Sequence, residues 1–139
     1  MKFEEIAKNV AGDISSKAWD FAIKHMYINF NAVNVKTLDF IDGYSCVFSK
    51  GTITGSLIVN DTPGYIFGSK LGILIVCPIE NDFPIVDFIS NKAIRVVEAE
   101  RKLFKAYVRV KTNDNMYIFK TDKQNLSTIE KFVNRIRVL

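Results

Sequence analysis

Residues 104–120 read Phe104-Lys105-Ala106-Tyr107-Val108-Arg109-Val110-Lys111-Thr112-Asn113-Asp114-Asn115-Met116-Tyr117-Ile118-Phe119-Lys120, and the first arm of this stretch has a period of two. In an extended chain Phe104, Ala106, Val108 and Val110 fall on one face and Lys105, Tyr107, Arg109 and Lys111 on the other. The four residues Thr112-Asn113-Asp114-Asn115 tolerate left-handed backbone and bond their own main chain. The stretch therefore predicts an antiparallel hairpin. Pairing Val110 with Tyr117 and Val108 with Phe119 carries the apolar face onto the second arm and adds Lys120 to the basic one.

Upstream the same short period recurs. Candidate strands are residues 35–41, 44–49, 52–59, 64–68, 71–77, 84–89, 93–98, 104–111 and 116–120. They are separated by Asn, Asp, Gly and Lys clusters instead of helical segments, which predicts consecutive hairpins and an antiparallel sheet over residues 44–120. Six of the seven glycines, at positions 43, 51, 55, 64, 68 and 72, fall in this region, where they read as turn residues.

The two ends of the chain change period. Phe3, Ile6, Ala7, Val10, Ala11, Ile14, Ala18 and Phe21 keep a three-and-four spacing, which predicts an amphipathic helix within residues 1–28. Its polar positions alternate in sign, so it suits packing on its own domain or on a partner better than adhesion to anionic lipid. Trp19, Ile23 and Met26 form a second short stripe. At the other end Ser127-Thr128-Ile129-Glu130 has capping-box spacing, and Ile129, Phe132, Val133 and Ile136 line one side of a helix over residues 125–137. No linker or repeat intervenes, so the reading is one α+β domain spanning residues 1–139.

With 48% apolar and 24% charged residues in 139, the composition is that of a folded globular domain, not a disordered chain. The charged start Met1-Lys2-Phe3-Glu4-Glu5 leads into no long apolar segment, so a soluble, cytoplasmic protein is expected. The net charge of +4 is unevenly spread: −1 over residues 1–43, −2 over residues 44–90 and +7 over residues 91–139. Only the last third can offer a basic surface to a phosphate-bearing partner.

Catalytic chemistry has few candidates. One histidine, His25, cannot build a His-based metal site or a triad without residues the sequence does not mark. Cys46 and Cys77 are thirty-one residues apart with no C-x-x-C partner, and read as small buried apolar residues. Glu80 with Asp82, and Glu98 with Glu100, resemble paired carboxylates but read as solvated loops. Gly68-Ser69-Lys70 lacks the spacing of a phosphate loop, and no serine stands in a G-x-S-x-G elbow. No catalytic residue, metal or cofactor is proposed from the sequence, and the expectation is a protein that is not an enzyme.

One constellation remains: Lys105, Tyr107, Arg109, Lys111 and Lys120, extended by Arg95 and Arg101 and by Lys92 and Lys102. Basic residues interleaved with an aromatic suit a nucleic-acid or phosphate surface, the charges meeting the backbone and the ring a base. The competing reading is an ordinary solvated strand face, with lysines guarding against edge-to-edge aggregation. The two are separated by whether Lys105, Arg109, Lys111 and Lys120 share one surface with Arg95 and Arg101.

Short antiparallel strands closed by a C-terminal amphipathic helix resemble the pleckstrin-homology-like superfold, including its bacterial and GRAM-type members. The likeness lies in Gly55-Ser56-Leu57-Ile58-Val59-Asn60 followed by Tyr65-Ile66-Phe67, similar to that family's opening hairpin; in Phe83-Pro84-Ile85-Val86-Asp87-Phe88-Ile89, similar to its proline-led central strand; and in Val108 to Lys120 followed by Ile129 to Ile136, similar to its last hairpin and helix. The resemblance implies a bent antiparallel sheet or open barrel of about seven strands with the last helix capping one end. Phosphoinositide-binding members carry Lys and Arg around the first loop, whereas the loop matched to it here, Asn60-Asp61-Thr62-Pro63-Gly64, is acidic. The long N-terminal helix is an addition to the family pattern. Together these readings lead to the expectation of a binding or scaffolding module for a protein or peptide partner or for self-association. Weak binding of nucleic acid or anionic lipid through the basic third is the alternative.

Overall fold

The computed structural model of the protein describes residues 1–11, 17, 21, 37–79, 82–103 and 105–137. Helix α1 (Phe3–Ala11) is followed by seven strands, β1 (Ile41–Thr52), β2 (Leu57–Gly68), β3 (Gly72–Cys77), β4 (Ile85–Ser90), β5 (Val96–Arg101), β6 (Ala106–Lys111) and β7 (Asn115–Thr121), and by helix α2 (Leu126–Arg137). All strand pairs are antiparallel, and the order across the single sheet is β4-β3-β2-β1-β7-β6-β5. The fold is α+β, as the periodicity predicts. The last hairpin also pairs as expected, Val110 with Tyr117 and Val108 with Phe119, and its turn is closed by the Thr112 amide donating to the Asn115 carbonyl at 2.9 Å.

The sheet curls so that one face encloses the core. Phe48, Ile66, Ile73, Ile75, Ile89, Val108, Val110 and Phe119 are buried on this inner face, and α2 covers it with Leu126, Ile129, Phe132, Val133 and Ile136. The helix touches β2 and β3 on one side and β5 and β6 on the other, which only a strongly bent sheet permits. Gly68 explains the close seat of α2: a Cβ there would lie 2.6 Å from Ile136 Cδ1 and 2.9 Å from the Phe132 ring. Likewise Gly64 leaves room for Cys77, whose Sγ would stand 2.5 Å from an added Cβ. Both glycines sit inside β2 and are not turn residues; their function is close approach.

On β3 both faces are buried. Leu74 and Val76, with Phe67 and Phe88, point away from the central cluster and are nevertheless almost inaccessible, as are Phe3, Ile6 and Phe40. A second, outer apolar layer thus covers the β2–β4 half, which accounts for the unbroken apolar run of β3. The N-terminal end is fixed to the chain entering β1 by reciprocal bonds, Phe40 N to Met1 O at 2.7 Å and the terminal ammonium to Phe40 O at 3.0 Å.

Several boundaries differ from the sequence reading. Residues 37–40 are not a strand, and residues 35–36 lie outside the described residues. The two segments 52–59 and 64–68 are one strand, β2, and the first hairpin turns at residues 52–56. Asn60-Asp61-Thr62-Pro63-Gly64 has the composition of a loop, yet it runs through β2. Asp61 takes a left-handed φ of 28° at a register shift between Phe48 and Lys50, so a β-bulge absorbs the turn-forming residues. The match of this segment to an opening hairpin is corrected accordingly. Residues 91–93 form a 3-10 turn before β5. Ser127 is the second residue of α2, not its cap, because a 3-10 turn at residues 123–125 runs directly into the helix. The two cysteines are buried, as expected. Of the predicted helix over residues 1–28, α1 is described, and Lys17 and Phe21 are also helical; Trp19, Ile23, His25 and Met26 lie outside the described residues, as do Glu80 and Phe104.

One ion pair lies inside the curl. Lys50 on β1 and Asp87 on β4 meet at 2.8 Å with side chains only 13% and 8% exposed. The Lys50 ammonium also stands 5.1 Å from the centre of the Tyr117 ring on β7. In a flat sheet strands three apart would be separated by about 14 Å, so this contact measures the curvature. Burial pushes the Asp87 carboxyl above its ordinary value, opposed by the Lys50 charge. Replacing Lys50 by Met strands a buried carboxylate and is expected to cost about 3–5 kcal/mol at pH 7, while Lys50→Met with Asp87→Leu recovers most of it. Because the native carboxyl of Asp87 is raised above the unfolded value near 4, its protonation favours the native state. Without the Lys50 charge the carboxyl rises further, so the loss in Lys50→Met should shrink as the pH falls through the variant's own native value. Urea unfolding of the two variants between pH 4 and 8 checks both points.

Candidate functional site: the outer face of the sheet

The outer face of β5, β6, β7, β1 and β2 is built from cross-strand rows. One row runs Glu100, Tyr107, Lys120, Val47, Pro63, and the next runs Glu98, Arg109, Ile118, Ser49. A third sets Val96, Lys111 and Met116 side by side. The alternation of β6 therefore does place Tyr107, Arg109 and Lys111 together with Lys120, and Lys105 comes close enough to act on the carboxyl of Asp61.

The same register brings acids beside these bases, within a row or from the next one. Arg109 Nη1 meets Glu100 Oε2 at 2.9 Å, Lys111 meets Glu98 at 3.7 Å, Lys102 meets Glu100 at 3.7 Å, and Lys120 meets Asp61 at 2.7 Å. Glu98 and Glu100 are strand residues of β5, not loop residues. Tyr107 is buried beneath Arg109, whose guanidinium carbon lies 4.6 Å from the ring centre and whose Nη2 donates to the Tyr107 hydroxyl at 2.9 Å. Its ring is thus covered by a cation and not open for base stacking.

Arg95 and Arg101 do not join this surface. Arg101 pairs with Ala106 and so sits on the inner side of β5, opposite in face to Arg109 and Lys111. Arg95 precedes β5 and is turned toward Asn113 and Lys92. The acids that neutralise the face escaped the sequence reading because they come from β5 and from the bulge of β2. The signal available was the alternation of Glu98 and Glu100 in a strand adjoining the basic one.

At the other end of the first row lies an open groove of about 670 Å³, bordered by Ser45, Val47, Pro63, Tyr65, Lys120 and Asp122. Lys120 is common to the groove and the striped face. Its partner Asp61 is set by the bulge: the Ser49 hydroxyl donates to Asp61 Oδ1 at 2.6 Å and accepts from the Asp61 amide at 3.0 Å. Ser49 is buried and its hydroxyl is engaged twice, which makes it a fixing point for the bulge. Cys46 and Cys77, next to the groove floor, have thiols pushed up to about 12 by burial, so neither is ionised near neutral pH. Among the described residues no group of three or more His, Cys, Asp or Glu is placed to hold a metal ion, and no helix is long and apolar enough to cross a membrane. What the face offers chemically is recognition: fixed ion pairs, a shielded aromatic and a shallow mixed groove.

No model of a known protein family matches the chain, and no curated protein matches it in sequence.

Hydrogen bonds from Lys120 and then Ser49 hold the Asp61 carboxyl below its ordinary value. The modest stabilisation from this half-exposed pair is present above the unfolded pKa near 4 and lost as the pH falls through the lower native value. In a carboxyl NMR titration, Lys120→Met should move the Asp61 midpoint upward; an unchanged midpoint would show that the ion pair is not formed in solution.

Proposed function

We propose that this protein is a non-catalytic binding module of the pleckstrin-homology-like kind, working in the cytoplasm and recognising a protein or peptide partner at its outer face and sheet edge. The antiparallel meander, with its first and last strands adjoining and α2 laid across the inner face, supports that likeness. One observation carries the choice of partner: Lys102, Arg109, Lys111 and Lys120 of the face are each matched by a carboxylate. A surface of interleaved opposite charges repels as much of a polyanion as it attracts, whereas it can discriminate among peptides by their charge pattern.

The free edge of β5 favours the same reading. Among the described residues no strand pairs with its far side, and its residues are largely exposed. An edge of this kind accepts an added strand through main-chain hydrogen bonds. Self-pairing is disfavoured. Overlapped fully with a copy about a two-fold axis normal to the sheet, β5 sets Glu98 against Glu98 or Glu100, and like charges directly opposite are destabilising. The edge therefore suits a foreign extended segment with Lys or Arg at alternate positions. The alternative, nucleic acid or anionic lipid on Lys105, Arg109, Lys111 and Lys120, is weakened by the ion pairs and by the separation of Arg95 and Arg101.

Selection from a displayed library of extended peptides should return alternating basic sequences. Their binding should shift the amide signals of residues 96–101 and be lost in Glu98→Lys with Glu100→Lys. Retention of nucleic acid at about 0.15 M ionic strength, abolished by replacing Lys105, Arg109 and Lys111 with Glu, would favour the alternative instead.

A further inference from the structure

Two arginines that take no part in the ion pairs of the sheet face come together where the end of α2 meets the start of β5. Arg95 is exposed yet held at two points: its Nε donates to Asn113 Oδ1 at 3.2 Å, and its Nη1 donates to the Lys92 carbonyl at 2.8 Å. Arg137, in the last turn of α2, donates from Nη2 to the Arg95 carbonyl at 3.1 Å. Three separate elements thus meet at Arg95: the 3-10 turn at residues 91–93 and the β6–β7 turn hold its guanidinium, and α2 brings the Arg137 guanidinium onto its main-chain carbonyl. Among the described residues neither guanidinium meets a carboxylate. By contrast Arg109, Lys102, Lys111 and Lys120 each have one.

We infer that Arg95 and Arg137, with Lys92 and the Asn113 amide beside them, form a binding site for a phosphate group. An exposed arginine ordinarily samples many rotamers, and restraining it costs entropy that an ion pair usually offsets. Here main-chain and amide acceptors do the restraining, so the donor fork is pre-organised and, among the described residues, its remaining N–H groups meet no carboxylate; each guanidinium has five. Two such forks match the geometry of a phosphate, which accepts paired hydrogen bonds and carries enough charge to answer both. Asn113 contributes in the same direction. Its oxygen accepts from Arg95, and the amide N–H₂ of this exposed residue is a further donor. This site is separate from the outer face and from the β5 edge, and stands or falls independently of the peptide reading. The phosphate can belong to a soluble compound or to a lipid headgroup.

Titration with inorganic phosphate, followed on the arginine Nε–H NMR signals, should move Arg95 and Arg137 saturably. Arg95→Gln and Arg137→Gln should each weaken binding by about tenfold, the loss of one charge-assisted contact, while Lys131→Gln, which removes an equal charge elsewhere on α2, should not. Asn113→Ala, which leaves both charges in place, should weaken it less. Sedimentation with phosphatidylcholine vesicles containing phosphatidic acid distinguishes the sources. Retention lost in Arg95→Gln assigns the phosphate to a headgroup, and phosphate binding without retention assigns it to a soluble compound. If phosphate moves neither arginine and the acidic vesicles retain no more protein than neutral ones, or if Lys131→Gln weakens binding as much as Arg95→Gln, the inference is overturned.

Discussion

Everything in this molecule hangs on β1 being hydrogen-bonded along both edges. Between Ile41 and Gly51 it pairs with β2 on one side, and Val47 to Thr52 pair with β7 on the other. Joining the first strand to the last turns two runs of hairpins into one sheet, and Phe48, stacked 6.3 Å from Tyr117 and 6.0 Å from Phe119, fills the junction from inside. Once that seam exists, the twist of seven strands curls the sheet, and the concave side becomes a single core with one open end for α2. The helix's apolar stripe has no other place to be buried.

The same curvature decides where polar groups go. It brings Lys50 and Asp87 together across three strands, a pair that costs desolvation and fixes how far β4 folds over β1. On the convex side, opposite charges lie across β5, β6, β7 and the bulge of β2, and they pair Lys102, Arg109, Lys111 and Lys120 with carboxylates. Arg95 and Arg137, which take no part in those pairs, belong to the segment before β5 and to the end of α2. The excess of +7 over residues 91–139 therefore includes both cations paired on the sheet face and, among the described residues, arginines at 95 and 137 that meet no carboxylate, which composition alone could not separate.

Strand alternation was legible wherever one face is wet and the other dry. Residues 106–111 show it best, because each inward side chain is apolar and each outward one is Tyr, Arg or Lys. The register of the last hairpin followed from that alternation and from the turn chemistry of Thr112 to Asn115. Local composition misled where a tertiary contact overrode it. Asn60, Asp61, Pro63 and Gly64 are turn formers, but the Ser49 hydroxyl holds Asp61 in a bulge and Gly64 lets Cys77 approach, so the segment continues as strand. Ser127 has the chemistry of a cap, yet Leu126 is already helical and packed in the core.

From sequence alone came the α+β class, the antiparallel pairing of neighbours, the helix at the C-terminal end and the membership of the basic strand face. These depend on periodicities of two and of three to four residues, which are properties of a single segment. Tertiary structure decided the rest: which acids oppose which bases, that Tyr107 is shielded, that Arg101 faces away from Arg109, and that Arg95 and Arg137 meet. Those outcomes depend on register between segments far apart in the chain. A shift of one residue in pairing exchanges the two faces of a strand, and no local pattern in β5 specifies its partner in β6.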